Sequence, residues 1–169
     1  SRVGGRAPAY ATAIGKVLLA TLARAELAER YARRKLARYA QGTITDWKVL
    51  QKELVRVAEN GFAIDNQEHE DGVKCVAAPI YGHRGVVAAL SISGPVERIE
   101  DQINNNGIVP VLKKAGIAIS TEIGWGRGVD QIGLSKSAGV LSLPAKRPRR
   151  ATLNHPSPRP PQWLKRARN

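Results

Sequence analysis

The chain has 169 residues with a single cysteine, and 27 Lys and Arg against 14 Asp and Glu give it a formal charge of +13. That length allows one domain of ordinary size. One cysteine excludes an intramolecular disulfide and fits a reducing, cytoplasmic setting, and no apolar run approaches the roughly 20 residues that cross a bilayer.

The first periodic stretch, ATAIGKVLLATL, predicts a helix over residues 12–22. Thr12 is a good N-cap, and Ile14, Val17, Leu18 and Leu22 recur at helical spacing. A second helix is expected from residue 26 to about 39, rich in Ala, Arg and Glu and lying on the surface. A third runs over residues 46–60, where Leu50, Leu54, Val57 and Ala58 form one face and Asn60-Gly61 is a stop signal.

The period then changes to that of strands. Residues 62–65 form a short one, and residues 73–81 and 86–93 form a hairpin. A three-residue loop, His83-Arg84-Gly85, puts Gly85 at the left-handed position that such loops favour. This register pairs Gly82 with Val86, Ala77 with Ser91 and Cys75 with Ser93. Side chains alternate faces, so Cys75, Ser91 and Ser93 share one. Residues 99–124 are expected to be helical, with a break or kink at Asn104-Asn105-Asn106-Gly107 and Pro110.

Charge divides the chain near Gly124. Residues 1–124 carry 17 basic and 13 acidic side chains, and residues 125–169 carry 10 basic ones and a single acid, Asp130. The excess charge therefore sits in the last quarter and is no argument that the folded part binds nucleic acid. High Pro and like charge in PAKRPRR and HPSPRPPQWLKRARN predict a disordered basic tail over 125–169, solvated or serving as a nonspecific phosphate-binding arm or nuclear-import signal.

Few residues suggest bond-making chemistry. Asp65 closes a strand before the loop Asn66–Gly72, where a carboxylate commonly caps the turn; its functional reading is an acceptor for a ligand hydroxyl or hydrate. Cys75 is by default a small buried hydrophobe, since a nucleophile needs a base and neither His69 nor His83 is placed to serve. Glu68, His69, Glu70 and Asp71 with Cys75 match no zinc spacing and read as a solvated loop. Ser91 and Ser93 could be an ordinary strand edge, but two hydroxyls on the face of Cys75 suit a polar ligand. Amides at Ala13 and Ile14 open a helix and favour an anion. Gly15 permits close approach of another backbone, and Lys16 is expected in water, adding positive potential. No phosphate loop, dinucleotide fingerprint, paired carboxylates or serine elbow occurs, so no cofactor is implied. GWGRG at residues 124–128 resembles a glycine-rich loop only superficially.

Three blocks carry a family resemblance: GRAPAYATAIGKVLLATL, TITDWKVLQKELVRVAENGFAIDNQEHEDGVKCVAAPI and GVVAALSISGP. In order and spacing they resemble the effector-binding domain of IclR-type bacterial transcriptional regulators, over residues 3–124. The resemblance implies an α/β (α+β) fold of GAF-like or profilin-like type, an antiparallel sheet flanked by helices. It also implies a small carboxylate-type effector, homodimer or homotetramer assembly, no membrane, and DNA contact through a separate N-terminal winged-helix domain. Ligand contacts would fall on Ala13, Ile14, Asp65, Cys75, Ser91 and Ser93, with Ala7 on the apolar side. The winged helix, its linker and the first strands of the domain should precede Ser1, and the lack of any methionine also leads to that expectation. The sheet is then N-terminally truncated, with an open edge. The competing readings are a nonfunctional fragment and a small Cys75-dependent enzyme.

Overall fold

A computed structural model describes residues 5–126. Most of the tail expected from residue 125 onward therefore lies outside the described residues. The chain starts with a 3-10 turn, Ala9–Ala11, leading into α1 (Ala13–Leu19). Thr12 caps α1, its hydroxyl accepting from the Gly15 amide at 3.2 Å. Helix α1 is shorter than its apolar spacing predicts. Thr21 closes it by donating its hydroxyl to the Leu18 carbonyl at 2.7 Å.

Helix α2 (Arg24–Tyr31) also stops early, eight residues before the expected end. The reason is tertiary. Leu36 and Ala40 are drawn into the core, and Tyr10 donates its hydroxyl to the Ala37 carbonyl at 2.8 Å. An extended segment satisfies both, whereas a continued helix would carry Leu36 away from Leu27 and Tyr10. Helix α3 (Trp47–Asn60) matches its signals: Asp46 accepts from the Val49 amide at 3.0 Å, and Gly61 ends it in a left-handed conformation. Leu50 and Leu54 pack with Tyr10, Leu19, Leu27 and Leu36 in one hydrophobic cluster. Leu50 is fully buried, which stabilises the fold by about 1.5–3 kcal/mol relative to exposure.

Strands β1 (Ala63–Asn66), β2 (Val73–Gly82) and β3 (Gly85–Pro95) form an antiparallel sheet in the order β1-β2-β3. The hairpin differs from expectation at its tip. Gly82 pairs with Gly85, leaving a two-residue loop, and Tyr81 pairs with Val86. A bulge beside Ile80 and Tyr81 then absorbs one residue, so that Ile80 pairs with Ala88. Gly85 has φ of 118°, a conformation that disfavours a side chain. Below the bulge the expected register holds: Ala77 pairs with Ser91 and Cys75 with Ser93. The tip and the bulge offset each other.

Helices α4 (Val96–Asn104) and α5 (Ile108–Glu122) follow. They are separated at Asn105–Gly107, where Asn106 takes φ of 54°. Pro110 does not kink anything. It lies in the first turn of α5, where its missing N–H has no helical acceptor to lose. Trp125, expected in the tail, instead lies against Tyr81, the rings tilted by 30° with centroids 5.3 Å apart.

The sheet therefore separates two apolar layers. Val76 and Ala78 face Ile99, Ile108 and Leu112 of α4 and α5. Ala63 and Ala77 face Ala13 and Val17 of α1 and Val57 of α3. The candidate site residues are all on or beside this second face.

Candidate ligand-binding site

Pairing places Asp65 opposite Cys75, and Cys75 opposite Ser93. The three side chains form one row straight across the sheet. Ala63, Ala77 and Ser91 form the parallel row two residues away, on the same face. Burial falls along the polar row: Asp65 is 3% exposed, Cys75 is half-buried and Ser93 is exposed. Ser91 is half-buried. The sequence put three of these on one face; the β1 register adds Asp65 to the row.

Asp65 is held by its loop. Its Oδ1 accepts from the Glu68 amide at 2.8 Å, which is the turn-capping arrangement. Burial pushes its pKa up, against the opposing pull of the Glu68 amide, the Lys16 charge and the His69 amide. Cys75 lies between its two neighbours in the row. Burial raises its pKa, the Ser93 hydroxyl lowers it, and the Asp65 carboxylate raises it further. Such a thiol stays protonated and is a poor nucleophile. His69 stacks instead on Tyr39, with centroids 5.9 Å apart. Among the described residues no cluster of three or more His, Cys, Asp or Glu is placed to hold a metal ion.

Helix α1 lies over this face. Ala13 packs beside Ala63 and Ala77 with Cys75 adjoining, while Ile14 is 39% exposed. The Ala13 and Ile14 amides have no acceptor among the described residues, because the first α1 amides to be satisfied are those of Gly15 and Lys16. Gly15 permits this placement: a Cβ there would lie 2.2 Å from the Ala9 carbonyl oxygen. Ala7 is exposed.

Two expectations fail here. Lys16 is not in water; it is 1% exposed. Its Nζ bonds to Glu68 Oε1 and to the Ile64 carbonyl, and lies 3.3 Å from Glu53 Oε1. Glu68 is not part of a solvated loop; it is 4% exposed. Burial pushes its carboxyl pKa up, opposed by Lys16. A signal for Lys16 did exist. The helix ATAIGKVLLA is apolar on nearly every side, so little of its surface was left for solvent. Nothing in the run of acids at Glu68, Glu70 and Asp71 marks Glu68 as the buried one.

The fold is that of a small α+β domain, a three-stranded antiparallel sheet with helices on both faces. A family model described as the C-terminal part of the bacterial transcriptional regulator IclR matches residues 1–121. The chain belongs to that family, as an IclR-type regulator C-terminal domain. It is 39% identical to the HTH-type transcriptional regulator XynR of Escherichia coli over 126 residues, 74% of this chain and 50% of that protein. The crystal structure of the C-terminal domain of the E. coli transcriptional regulator KdgR matches at a TM-score of 0.62 and 39% identity, covering 71% of this chain and 73% of that one. An IclR homolog from Microbacterium hydrocarbonoxydans, complexed with 4-hydroxybenzoate, matches at 0.63 and 28% identity, covering 73% of this chain and 49% of that one. The chain thus spans about half the length of the curated relatives it matches. No described helix is long and apolar enough to cross a membrane.

Proposed function

We propose that this chain is the ligand-sensing portion of an IclR-type regulator, binding a small organic or aromatic acid. The observation that carries the reading is the row Asp65–Cys75–Ser93, a line of hydrogen-bonding groups on an otherwise small and apolar face. Ser91 extends it by one pair. The unpartnered Ala13 and Ile14 amides supply donors for a carboxylate. Asp65 would accept from a hydroxyl or hydrate on the same ligand, since a second bare anion beside it would be repelled. The 4-hydroxybenzoate complex of the Microbacterium relative supports an acid bearing such a group. In the whole protein, a homodimer or homotetramer in the cytoplasm, the ligand would shift a balance between assemblies that hold the winged-helix domains differently.

The test is a thermal-shift series on the 169-residue chain with 4-hydroxybenzoate, 3-hydroxybenzoate, pyruvate and benzoate at millimolar concentration. At 100 times its Kd a ligand stabilises by about 2.7 kcal/mol, a rise of several degrees. Hydroxylated and 2-oxo acids should raise Tm more than benzoate, and Asp65→Ala should abolish that difference. A flat response to every acid sinks the reading. The competing reading, a nonfunctional fragment, is favoured by one observation: among the described residues the outer edge of β3 is unpaired.

A further inference from the structure

The buried lysine at the base of the site is not explained by stability. Lys16 and Glu68 are both almost fully enclosed, and a buried ion pair is often no better than apolar side chains of the same volume. Glu68 Oε2 has no hydrogen-bond partner among the described residues, a cost that a purely structural pair would be expected to avoid. Asp65 sits three residues away and carries a further carboxylate of the same sign. What the arrangement does supply is connectivity. Lys16 lies two residues beyond Ile14 on α1. It bonds to the Ile64 carbonyl, the residue before Asp65, and to Glu68, whose own amide bonds to Asp65. Glu53 draws α3 into the same cluster at 3.3 Å.

We propose that Lys16 is the positioning residue of this site. Through Glu68 and the Ile64 carbonyl it fixes the start of α1 relative to Asp65, and so sets the span between the Ala13 and Ile14 amides and the Asp65–Cys75–Ser93 row. The proposal rests on the sensing reading above. Neither Lys16 nor Glu68 needs to touch the ligand. Glu68 acts twice, its carboxylate holding Lys16 and its amide holding Asp65. Loosening either end would let α1 drift from the sheet face while the aromatic and leucine core on its other side stayed packed.

Cys75 reports on this span without any ligand, because it is the only cysteine in the chain and lies under α1 in the row. The experiment compares the full chain with Lys16→Met, which keeps length and removes charge, and with Glu68→Gln, which keeps shape. Alkylation of Cys75 by iodoacetamide is followed at fixed pH, and urea titrations give the globally unfolded fraction for correction. Opening of the α1–sheet contact should raise the corrected rate by about threefold or more in both variants, since reaction follows thiol access. A corrected rate less than about threefold above wild type in either folded variant overturns the proposal, because a lysine that only adds stability acts through the unfolded fraction alone. If Lys16→Met does not fold, Glu68→Gln decides. Isothermal titration with 4-hydroxybenzoate and with pyruvate runs beside it on wild type. Absence of binding there counts against the sensing reading, and the alkylation rates judge the positioning role separately.

Discussion

Asp65 sits 3% exposed between a loop that bonds it and the Cys75 thiol opposite it in the sheet. Its usual pKa is 3.8 and that of Glu68 is 4.5, and burial raises both. The folded chain therefore binds these protons more tightly than the unfolded chain. Their contribution to stability is fully present below about pH 4 and is lost as pH rises through the raised values. Asp65→Asn keeps an oxygen for the Glu68 amide and removes the ionisation. Urea unfolding at pH 4 to 7 should show the variant gaining on wild type as pH climbs, and a difference that stays constant across that range would refute the assignment. The turn-capping role of Asp65 was legible from its place before a polar loop. Its place opposite Cys75 was not, because the register between β1 and β2 depends on a loop whose length alone does not set the pairing.

At the scale of elements, the strongest local constraint is the approach of α1 to the Ala9 backbone. A methyl group at Gly15 would overlap the Ala9 carbonyl oxygen at 2.2 Å. Gly15→Ala removes a flexible residue from a helix, which would ordinarily add about 1 kcal/mol. Here the overlap should reverse the sign and cost about 1–3 kcal/mol, read as a lower urea midpoint at an unchanged slope. A stabilised variant would mean that the turn at Ala9–Ala11 can move away. Helix α3 was readable at both ends because Asp46 and Gly61 act on their own neighbours. Helix α2 was not, because its end is decided by where Leu36 must go. The hairpin shows a third case. Its tip was misread by one residue, and the bulge beside Ile80 and Tyr81 compensates in the same strand pair. The register at Cys75, Ser91 and Ser93 survived because alternation between the two faces of the sheet penalises any slip there.

At the scale of the molecule, the described residues form a three-stranded sheet with α1 and α3 on one side and α4 and α5 on the other. Strand β3 is 11 residues long, and among the described residues its outer edge has no partner. Such an edge is a template for pairing with another chain. Ile92 lies on that strand at 38% exposure. Sizing by light scattering should show the 169-residue chain associating as concentration rises, and Ile92→Lys should shift it toward monomer. A monomer at every concentration would remove the edge as an association surface. The amino-acid sequence by itself determined the order of helices and strands, the caps of α1 and α3, the family and the face shared by Cys75, Ser91 and Ser93. Those follow from local conformational preference and from a period of two or 3.6 residues, which act over short stretches. Only the tertiary structure decided that Lys16 and Glu68 are buried together, that α2 stops at Tyr31, and that Asp65 completes the row. Each of these depends on which distant surface covers a residue, a quantity that no local pattern carries.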